Sequence, residues 1–415
     1  MMSVGRRGGL ALLAVSVWLA AGVSARAAAP AIEAKSAVLV DVASGQVLYQ
    51  RSAHERRPVA STTKIMTALI ALESARLDEW VVVSPDAPQV EPSVLDLKPG
   101  EQVRLDDLLA GLLLKSANDA AVAIAEHVSG SVGKFSQRMN ERARELGARD
   151  THFVNPHGLY DPNHYSSAYD LALITREALK HPRFRELVAT KATEVFRPYT
   201  VGTETVENHN RLLWETNYVD GVKTGYVSKA GQCIVASATK DRWQLLAVLL
   251  DSPDKYGEAL QLLDYGFSTF QRKVYARQGD VLDRVPVERG RSRQVEAVCA
   301  EALAGVTGPG MPGGGRVELK DKRLVAPVAK GAPVGEAQLV VGGKVVARSP
   351  LVAGRSVPVS WLVVCWWWAW KAVVAVAALA VTVRVSAKAI KAHRRRRSRF
   401  PPKVRGADPG RPSAP

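Results

Sequence analysis

The hydrophobic positions between residues 30 and 270 follow two periods, one typical of strands and one typical of helices. Aliphatic and β-branched runs in residues 37–49 flank a turn at 43–45, which predicts a β-hairpin. Leucines further on repeat with the spacing of one helical face and predict an amphipathic helix that contains Leu105, Leu108, Leu109, Leu112 and Leu113.

More helices and strands complete this pattern. Residues 61–73 predict a helix with one apolar side, and residues 120–128 predict another helix that ends at Gly130. Neighbouring strands of a sheet are predicted around Gly225, at 234–237 and at 245–250. We therefore expect residues 30–270 to form one large mixed α/β domain.

From about Val274 the pattern changes to short strand-like pieces between Gly and Pro turns, at 281–287, 317–319, 338–341 and 344–347. Residues 308–315 are expected to form a flexible break, and Cys299 lies in a helix-like piece. These features predict a small all-β domain over 274–356. We interpret it as a spacer or docking module because it contains few candidate catalytic residues.

The first 27 residues have the three parts of a secretory signal peptide. Arg6 and Arg7 precede an apolar run at 10–23, and the small residues Ala25 and Ala27 follow it. The alternative is a short membrane anchor, which the length of the apolar run disfavours. Cleavage after Ala27 or Ala29 would leave an exported protein.

A second apolar run, residues 361–383, contains one charge, at Lys371, and is long enough to cross a bilayer. A mid-span lysine costs about 2.5–3.5 kcal/mol, which the surrounding apolar residues offset. Tryptophans cluster in the first half of the run, as they do at the outer interface of a membrane. Lys and Arg residues follow the run, as they do on the cytoplasmic side. We expect a transmembrane anchor at 359–383, an extracytoplasmic body and a basic cytoplasmic tail at 384–415. An amphipathic helix lying in the membrane plane is the alternative that Lys371 keeps open.

The net charge of +16 first suggests nucleic-acid binding, but its distribution argues against that function. Residues 1–27 hold three Arg and no acid, and residues 384–415 hold eleven Lys or Arg and one acid, which leaves +3 for the remainder. A nearly neutral body lacks the basic surface that nucleic acid requires. Three Cys in 415 residues form no disulfide framework, and no metal or cofactor motif is present, so neither is expected.

The candidate chemistry lies in three motifs of the large domain: SxxK at Ser61 and Lys64, SxN at Ser116 and Asn118, and KTG at 223–225. Each motif alone is weak, since a Ser–Lys pair on a helix is usually a solvated face. The ordered set is what indicates function.

Ser61 and Lys64 are three residues apart at the start of a predicted helix, so both side chains lie on one face. A serine hydroxyl is a poor nucleophile at pH 7 and needs a base beside it. Lys64 can be that base only if its pKa is depressed, which burial and Lys223 as a second cation would both promote. A helix N-terminus would also aim backbone N–H groups at a developing oxyanion.

The other two motifs are expected to face the same cleft. Ser116 is the candidate proton relay to the leaving amine, and Asn118 is expected to hold a substrate amide through its donor and its acceptor. Lys223 and Thr224, on an edge strand, are expected to meet a substrate carboxylate. Gly225 would let the substrate backbone approach closely.

Two longer strings extend the motifs, THFVNPHGLYDPNHYSSAYDLA at 151–172 and DGVKTGYVSKAGQCIVASATK at 220–240. With them the chain resembles the low-molecular-mass penicillin-binding proteins that are serine D-alanyl-D-alanine carboxypeptidases. The resemblance is strong over 30–270 and extends to 274–356 and the anchor. It implies an α/β (α+β) penicillin-binding/β-lactamase-like transpeptidase fold with an antiparallel sheet flanked by helices, then a small all-β domain and a transmembrane helix.

The resemblance also implies a mechanism. Ser61 attacks the carbonyl of the penultimate D-Ala of a peptidoglycan stem pentapeptide, the terminal D-Ala leaves, and water hydrolyses the acyl-enzyme. Lys64 is the general base, and the backbone N–H groups of Ser61 and Tyr226 form the oxyanion hole. Penicillin acylates the same serine. The implied partners are the stem peptide, β-lactam antibiotics and the membrane, with no nucleic acid.

Three further residues are candidates through the resemblance. His157 and Asp170 match family positions near the active site, but His157 also fits a support of its loop, and Asp170 also fits a cap of the helical run at 171–178. His209 stands where some relatives carry an Arg that assists carboxylate binding. Val227 replaces the commoner Thr.

Other functions remain alternatives. A D,D-endopeptidase acting on cross-links uses the same residues, and the sequence does not separate it from a carboxypeptidase. A class A β-lactamase usually carries SDN where this chain has residues 116–118, and it needs a Glu-x-x-Leu-Asn loop that is not found here. A non-catalytic wall-binding protein would not need the intact set of motifs.

Overall fold

The computed structural model describes residues 29–198, 201–311, 315–321 and 323–397. It divides the chain into two units, the first formed by Met1–Lys273 and Gly305–Gly314 and the second by Val274–Ala304 and Gly315–Pro415. The signal peptide predicted at 1–27 lies outside the described residues. So do residues 312–314 of the predicted break and residues 398–415 of the predicted tail.

The first unit combines helices with short and long strands. Its α-helices are α1 (Lys64–Ser74), α2 (Leu105–Ala110), α3 (Asn118–Ser129), α4 (Val132–Glu145), α5 (Ala168–Ala178), α6 (Pro182–Ala189), α7 (Leu212–Glu215) and α8 (Lys255–Thr269). Its strands are β1 (Ser36–Asp41), β2 (Val47–Arg51), β3 (Trp80–Val82), β4 (Gln102–Arg104), β5 (Ala192–Arg197), β6 (Gly202–Glu207), β7 (Val219–Val227), β8 (Gly231–Lys240) and β9 (Trp243–Leu250). Two 3₁₀ turns (Ala60–Thr63 and Ala87–Gln89) and a π-helix (Gly111–Lys115) complete it.

Five of these strands form one antiparallel sheet in the order β2-β1-β9-β8-β7. The predicted hairpin is β1 and β2, and the predicted neighbouring strands are β7, β8 and β9, so both predictions are confirmed. Because β7 lies at the edge, the KTG motif is on an edge strand, as expected. The antiparallel sheet flanked by helices confirms the fold class.

The sheet is buried on both faces, and its side chains alternate between two apolar clusters. On β9, Leu246 and Val248 pack into the cluster with α1, α3 and α5, whereas Leu245 and Leu249 pack into the cluster with α8. Successive strand residues point to opposite faces, so a strand covered on both sides must be apolar throughout. This explains why β8 and β9 appear in the sequence as continuous apolar runs.

The leucine-rich helix predicted at 105–113 does not continue as one regular α-helix. The α-helical part ends at Ala110, and a π-helical segment follows to Lys115. Ser116 then adopts a left-handed conformation with φ of 67°, and α3 begins at Asn118. The change of hydrogen-bond pattern places the SxN motif at the junction between the two helices.

The second unit is built on a six-stranded sheet in the order β14-β16-β17-β12-β11-β15. The strands are β11 (Val281–Glu288), β12 (Gln294–Cys299), β14 (Gly315–Asp321), β15 (Leu324–Val325), β16 (Pro333–Val341) and β17 (Lys344–Ala353). Strands β10 (Gln271–Ala276) and β13 (Leu303–Thr307) run across the boundaries between the units. The strand-like pieces predicted here are confirmed. The helix-like interpretation around Cys299 was wrong, because this buried residue ends β12 and its side chain packs in the apolar core of the unit.

A single long helix, α9 (Trp361–Arg397), ends the described chain. At 1.5 Å per residue, its apolar part at 361–383 is about 35 Å long. By length and composition, α9 is therefore a candidate membrane span.

Candidate active site

Ser61 lies in the 3₁₀ turn that leads into α1. The residue before it, Ala60, has a positive φ of 48°. Gly158 lies against this turn, and a Cβ at Gly158 would be 1.9 Å from the Ala60 carbonyl oxygen. Only glycine fits there, at a φ of +88°. The loop that carries Gly158 therefore packs directly against the turn that presents Ser61.

Lys64 is completely buried, and three oxygens surround its amine. Its Nζ is 2.9 Å from Ser61 Oγ, 2.6 Å from Asn118 Oδ1 and 2.8 Å from the His157 carbonyl oxygen. The prediction that Ser61 and Lys64 share one face is confirmed.

Burial lowers the pKa of Lys64 well below its ordinary 10.5, and the positive charge of Lys223 lowers it further. Lys223 is itself buried, and desolvation, with a contribution from Lys255, lowers its pKa to about 7. The negative charge of Asp119 raises the pKa of Lys64, but by less than burial and Lys223 lower it. Burial and a second cation are the two causes expected from the sequence for a lowered pKa of Lys64.

Asn118 is held by two contacts at the first residue of α3. Its Oδ1 accepts from Lys64, and its Nδ2 donates to the Glu91 carbonyl at 2.7 Å. The amide thus holds Lys64 in place while Nδ2 retains a second N–H. Ser116, which lies two residues before Asn118 in the sequence, is also buried. Among the described residues, no hydrogen bond joins its hydroxyl to Lys64.

The KTG motif lies beside the Ser61 turn. A Cβ at Gly225 would be 3.0 Å from the Ser61 backbone nitrogen and 3.1 Å from Ala60 Cβ. Lys223 Nζ donates to the Thr224 carbonyl at 3.1 Å, and both side chains are buried, whereas Tyr226 is 65% exposed. The missing side chain at Gly225 therefore leaves the Ser61 N–H accessible from the strand.

His157 contacts Lys64 directly, whereas Asp170 binds the chain at 150–151. The His157 carbonyl contacts Lys64, while its Nδ1 accepts from the Leu159 N–H at 3.1 Å. Burial lowers the pKa of His157 to about 3, with Lys64 adding to the effect. Asp170 accepts from the Asp150 N–H and from Thr151 Oγ1, each at 2.7 Å.

The suggestion that Asp170 caps α5 was wrong. Ser167 is the capping residue, and its hydroxyl accepts from the Asp170 N–H at 3.1 Å. Asp170 is the third helical residue, and its carboxylate reaches back to the chain at 150–151.

His209 is exposed, and its backbone N–H donates to the Leu114 carbonyl at 3.2 Å. Partial desolvation and then the charges of Lys223 and Lys115 lower its pKa.

Two buried polar residues support the site and were missed in the sequence. His164 Nδ1 accepts from the Val154 N–H at 3.2 Å, so its Nε2 donates to Thr63 Oγ1 at 2.8 Å. The Asp119 carboxylate accepts from the backbone N–H groups of Leu95, Leu97 and Ala120 at 2.8–3.1 Å. Asp119 directly follows the SxN motif, and that adjacency is the signal that could have identified it.

The arrangement pairs a hydroxyl with a desolvated amine and places a second cation on the neighbouring strand. This combination suits a nucleophilic attack on a substrate that carries a negative charge. Within the described ranges, no group of His, Cys, Asp or Glu side chains could hold a metal ion.

Comparison with known families gives two matches. Residues 23–254 match the model of a peptidase family described as D-alanyl-D-alanine carboxypeptidase. Residues 270–359 match the C-terminal domain of penicillin-binding protein 5.

Curated proteins and solved structures agree with these matches. The chain is 35% identical over 332 residues to D-alanyl-D-alanine carboxypeptidase DacF of Bacillus subtilis, covering 77% of this chain and 85% of that protein. It is 35% identical over 350 residues to DacC of Escherichia coli, covering 79% and 85%. The structure resembles penicillin-binding protein 5 of Haemophilus influenzae with a TM-score of 0.64 and 31% identity, covering 80% of this chain and 99% of the other.

Proposed function

Since this chain belongs to the D-alanyl-D-alanine carboxypeptidase family of serine peptidases, we propose that it removes the terminal D-Ala from peptidoglycan stem pentapeptides through an acyl-enzyme on Ser61. The observation that carries the proposal is the 2.9 Å contact between Ser61 Oγ and the amine of a fully buried lysine.

The contacts of Lys64 fit the role of general base. A neutral amine has two N–H groups and one lone pair. The carbonyl oxygens of Asn118 and His157 can accept the two N–H groups, which leaves the lone pair directed at Ser61 Oγ. A lysine with a depressed pKa is neutral often enough to take the serine proton near neutral pH.

Substrate binding is assigned to the KTG strand. We propose that Lys223 and Thr224 hold the terminal carboxylate and that Asn118 binds a substrate amide. A bound carboxylate favours the charged form of Lys223, whose pKa is otherwise lowered to about 7. We propose that His209 assists binding of the carboxylate. We also propose that His157 supports Lys64 through its backbone carbonyl.

The chemistry then has two stages. Ser61 Oγ bonds to the carbonyl carbon of the penultimate D-Ala as its proton passes to Lys64, and the backbone N–H groups of Ser61 and Tyr226 stabilise the oxyanion. The C–N bond breaks, and Ser116 relays the proton to the departing D-Ala amine. Water next attacks the ester and releases the shortened peptide and Ser61. A β-lactam ring is proposed to open on Ser61 by the first stage.

We also propose how the chain is placed in the cell envelope. Residues 1–27 act as a signal peptide, 30–270 as the catalytic domain, 274–356 as the β-rich domain, 359–383 as a transmembrane anchor and 384–415 as a cytoplasmic tail. Large apolar side chains are exposed at successive positions 366–368 and again at 373, 374, 376 and 379. An apolar surface on all sides favours a spanning helix over one that lies in the membrane plane.

Lys371 has a partner within the anchor. Its Nζ lies 3.5 Å from the ring centroid of Trp367, in the geometry of a cation–π contact. This contact supports the expectation that the surrounding residues offset the cost of the charge.

The test of the proposed activity is release of free D-Ala from diacetyl-L-Lys-D-Ala-D-Ala by the full chain in detergent. Wild-type protein and the control Ser74→Ala, an exposed serine at the end of α1, are expected to release D-Ala, and Ser61→Ala is expected to release none. Equal release by Ser61→Ala would overturn the assignment of the nucleophile. Cleavage of a cross-linked peptide without release from the tripeptide would instead favour the endopeptidase.

A further inference from the structure

The turn between β11 and β12 carries a concentrated positive charge that the proposed reaction does not use. Arg289, Arg291 and Arg293 lie in this turn, and Arg284 on β11 and Arg355 just after β17 line one pocket with Arg293. All five are exposed, and none forms an ion pair within the part of the chain that the structure describes. These guanidinium groups are available to a phosphate or carboxylate ligand.

The same turn is hydrogen-bonded to the segment that enters the candidate membrane span. The Ser360 N–H donates to the Arg289 carbonyl at 2.7 Å, and the Arg291 N–H donates to the Pro358 carbonyl at 2.8 Å. Helix α9 begins at the next residue, Trp361. The arginine turn is therefore fixed within a few ångströms of the point where the chain would enter a bilayer.

Two concave sites lined by residues in or near this turn suit a lipid. One, of about 550 Å³, is lined by Arg284, Arg293, Arg355, Ser292 and one acid, Glu296. There Arg355 is oriented by Ser292 Oγ at 3.0 Å and by the Gln294 carbonyl at 3.4 Å.

The other site is a groove of about 580 Å³ between the sheet and the first turns of α9, lined by Arg289, Val359, Leu362, Val363, Trp366 and Trp367. It joins one guanidinium to an apolar wall.

From these contacts we infer that the arginine turn and this groove bind an anionic phospholipid of the outer leaflet. The inference rests on the membrane anchoring proposed above. The planar guanidinium forks match phosphate oxygens, and the apolar wall next to Arg289 suits an acyl chain. A free phosphate would use only the arginines and would leave the apolar groove without a role. The β-rich unit would then bind the membrane through its headgroup contacts as well as through its anchor.

The experiment uses the full chain reconstituted in phosphatidylcholine vesicles that contain a trace of spin-labelled phosphatidylglycerol or, in a second set, spin-labelled phosphatidylcholine. The motionally restricted fraction of each label gives the selectivity for the anionic lipid. Arg291→Glu with Arg293→Glu is expected to lower that selectivity by at least roughly fivefold for each reversed arginine. The basic residues after the anchor also attract anionic lipid, but they are identical in every variant.

A matched control lies at the opposite end of the same sheet. Arg316→Glu with Lys344→Glu changes the charge equally at exposed positions. Lys344 is separated from the membrane-proximal end of β17 by about 30 Å at ~3.3 Å per residue. This control is expected to keep the wild-type selectivity.

Three results would overturn the inference. Equal selectivity of the arginine variant and the wild type would exclude the turn as a lipid site. Displacement of the label by inorganic phosphate, beyond that by sodium chloride of equal ionic strength, would assign the arginines to a soluble phosphate. Failure of the wild-type chain to restrict either label would overturn the anchoring proposal and this inference with it, while leaving the D-Ala release assay unaffected.

Discussion

The two units of the chain differ in the charged residues that they bury. In the first unit Lys64, Lys223, Asp119 and Arg197 are all buried, and Lys64, Asp119 and Arg197 each have several hydrogen-bond partners. In the second unit the core is formed by Val, Ala, Leu and Cys299, and the ion pairs among its described residues lie on the surface, as between Arg348 and Glu336.

The difference matches the kind of function proposed for each unit. A desolvated charge has a shifted pKa and strong interactions, so it can perform chemistry, but it is stable only when surrounded by partners. An exposed charge costs little and contributes little, so it suits recognition of a surface. The proposed catalytic centre of the first unit and the proposed lipid site of the second would use these two kinds of charge.

The largest effect is expected from removing the buried amine. Lys64→Met deletes the base beside Ser61 and should lower the rate of acylation by a fluorescent penicillin by ~10⁴-fold or more. Lys98→Met, at an exposed lysine of the same unit, should leave the rate unchanged. A loss of less than tenfold in Lys64→Met would remove Lys64 from the role of base.

Next in size is the contrast between a buried and an exposed ion pair. Arg197 forms a bidentate pair with Glu101 at 2.7 and 3.0 Å, with side chains 2% and 0% exposed. Arg197→Met removes the cationic partner of the buried Glu101 carboxylate and should lower the free energy of unfolding by about 3–5 kcal/mol.

The equivalent change in the second unit is the control for that contrast. Arg348 and Glu336 lie 3.1 Å apart with side chains 60% and 39% exposed, so Arg348→Met should cost about 0–1 kcal/mol. Urea unfolding of both variants measures the difference. Equal costs would contradict the distinction drawn between the units.

A smaller effect tests the close approach of the KTG strand to Ser61. In Gly225→Ala the new Cβ would lie 3.0 Å from the Ser61 nitrogen, where it obstructs the proposed oxyanion hole. We expect penicillin acylation to slow by roughly 10- to 100-fold without loss of folding. Gly133→Ala is the control, since its Cβ would have no heavy atom within 4 Å, and it should leave the rate intact. An unaffected Gly225→Ala would place the oxyanion elsewhere.

The smallest expected effect concerns pH. Lys223 has a pKa lowered to about 7, so it loses its charge as the pH rises through that value, and kcat/KM for a substrate with a free carboxylate should fall. Arginine stays protonated, so Lys223→Arg should move this alkaline limb upward by at least about one pH unit. A substrate amidated at its C-terminus should show no such limb. The same limb in both substrates would mean that another group titrates.

The sequence predicted the elements and the shared helical face of Ser61 and Lys64 well, because both are local. The spacing of Ser61 and Lys64 on one helical face and the apolar runs of β8 and β9 depend on neighbours a few residues apart. Periodicity also located the leucine-rich helix. The periodicity could not show that the helix ends as a π-helix at Gly111–Lys115, because a π-helical turn changes the backbone hydrogen bonds but leaves the spacing of the apolar residues intact.

What could not be predicted depends on contacts between distant residues. The carbonyl of His157 that completes the surroundings of Lys64 is 93 residues away in sequence, and Arg197 and Glu101 are 96 residues apart. A side chain such as Asp170 looked like a helix cap because its partners at 150–151 are remote in sequence. Tertiary contacts of this kind set pKa values and orientation, and no local pattern encodes them.

The central claim is that Ser61, activated by Lys64, is the residue that carries the acyl group. The direct measurement is peptide mapping by mass spectrometry after brief exposure of the full chain to penicillin. We predict one adduct, on the peptide that contains Ser61, and no adduct in Ser61→Ala. An adduct on any other residue, or labelling that persists in Ser61→Ala, would contradict the claim.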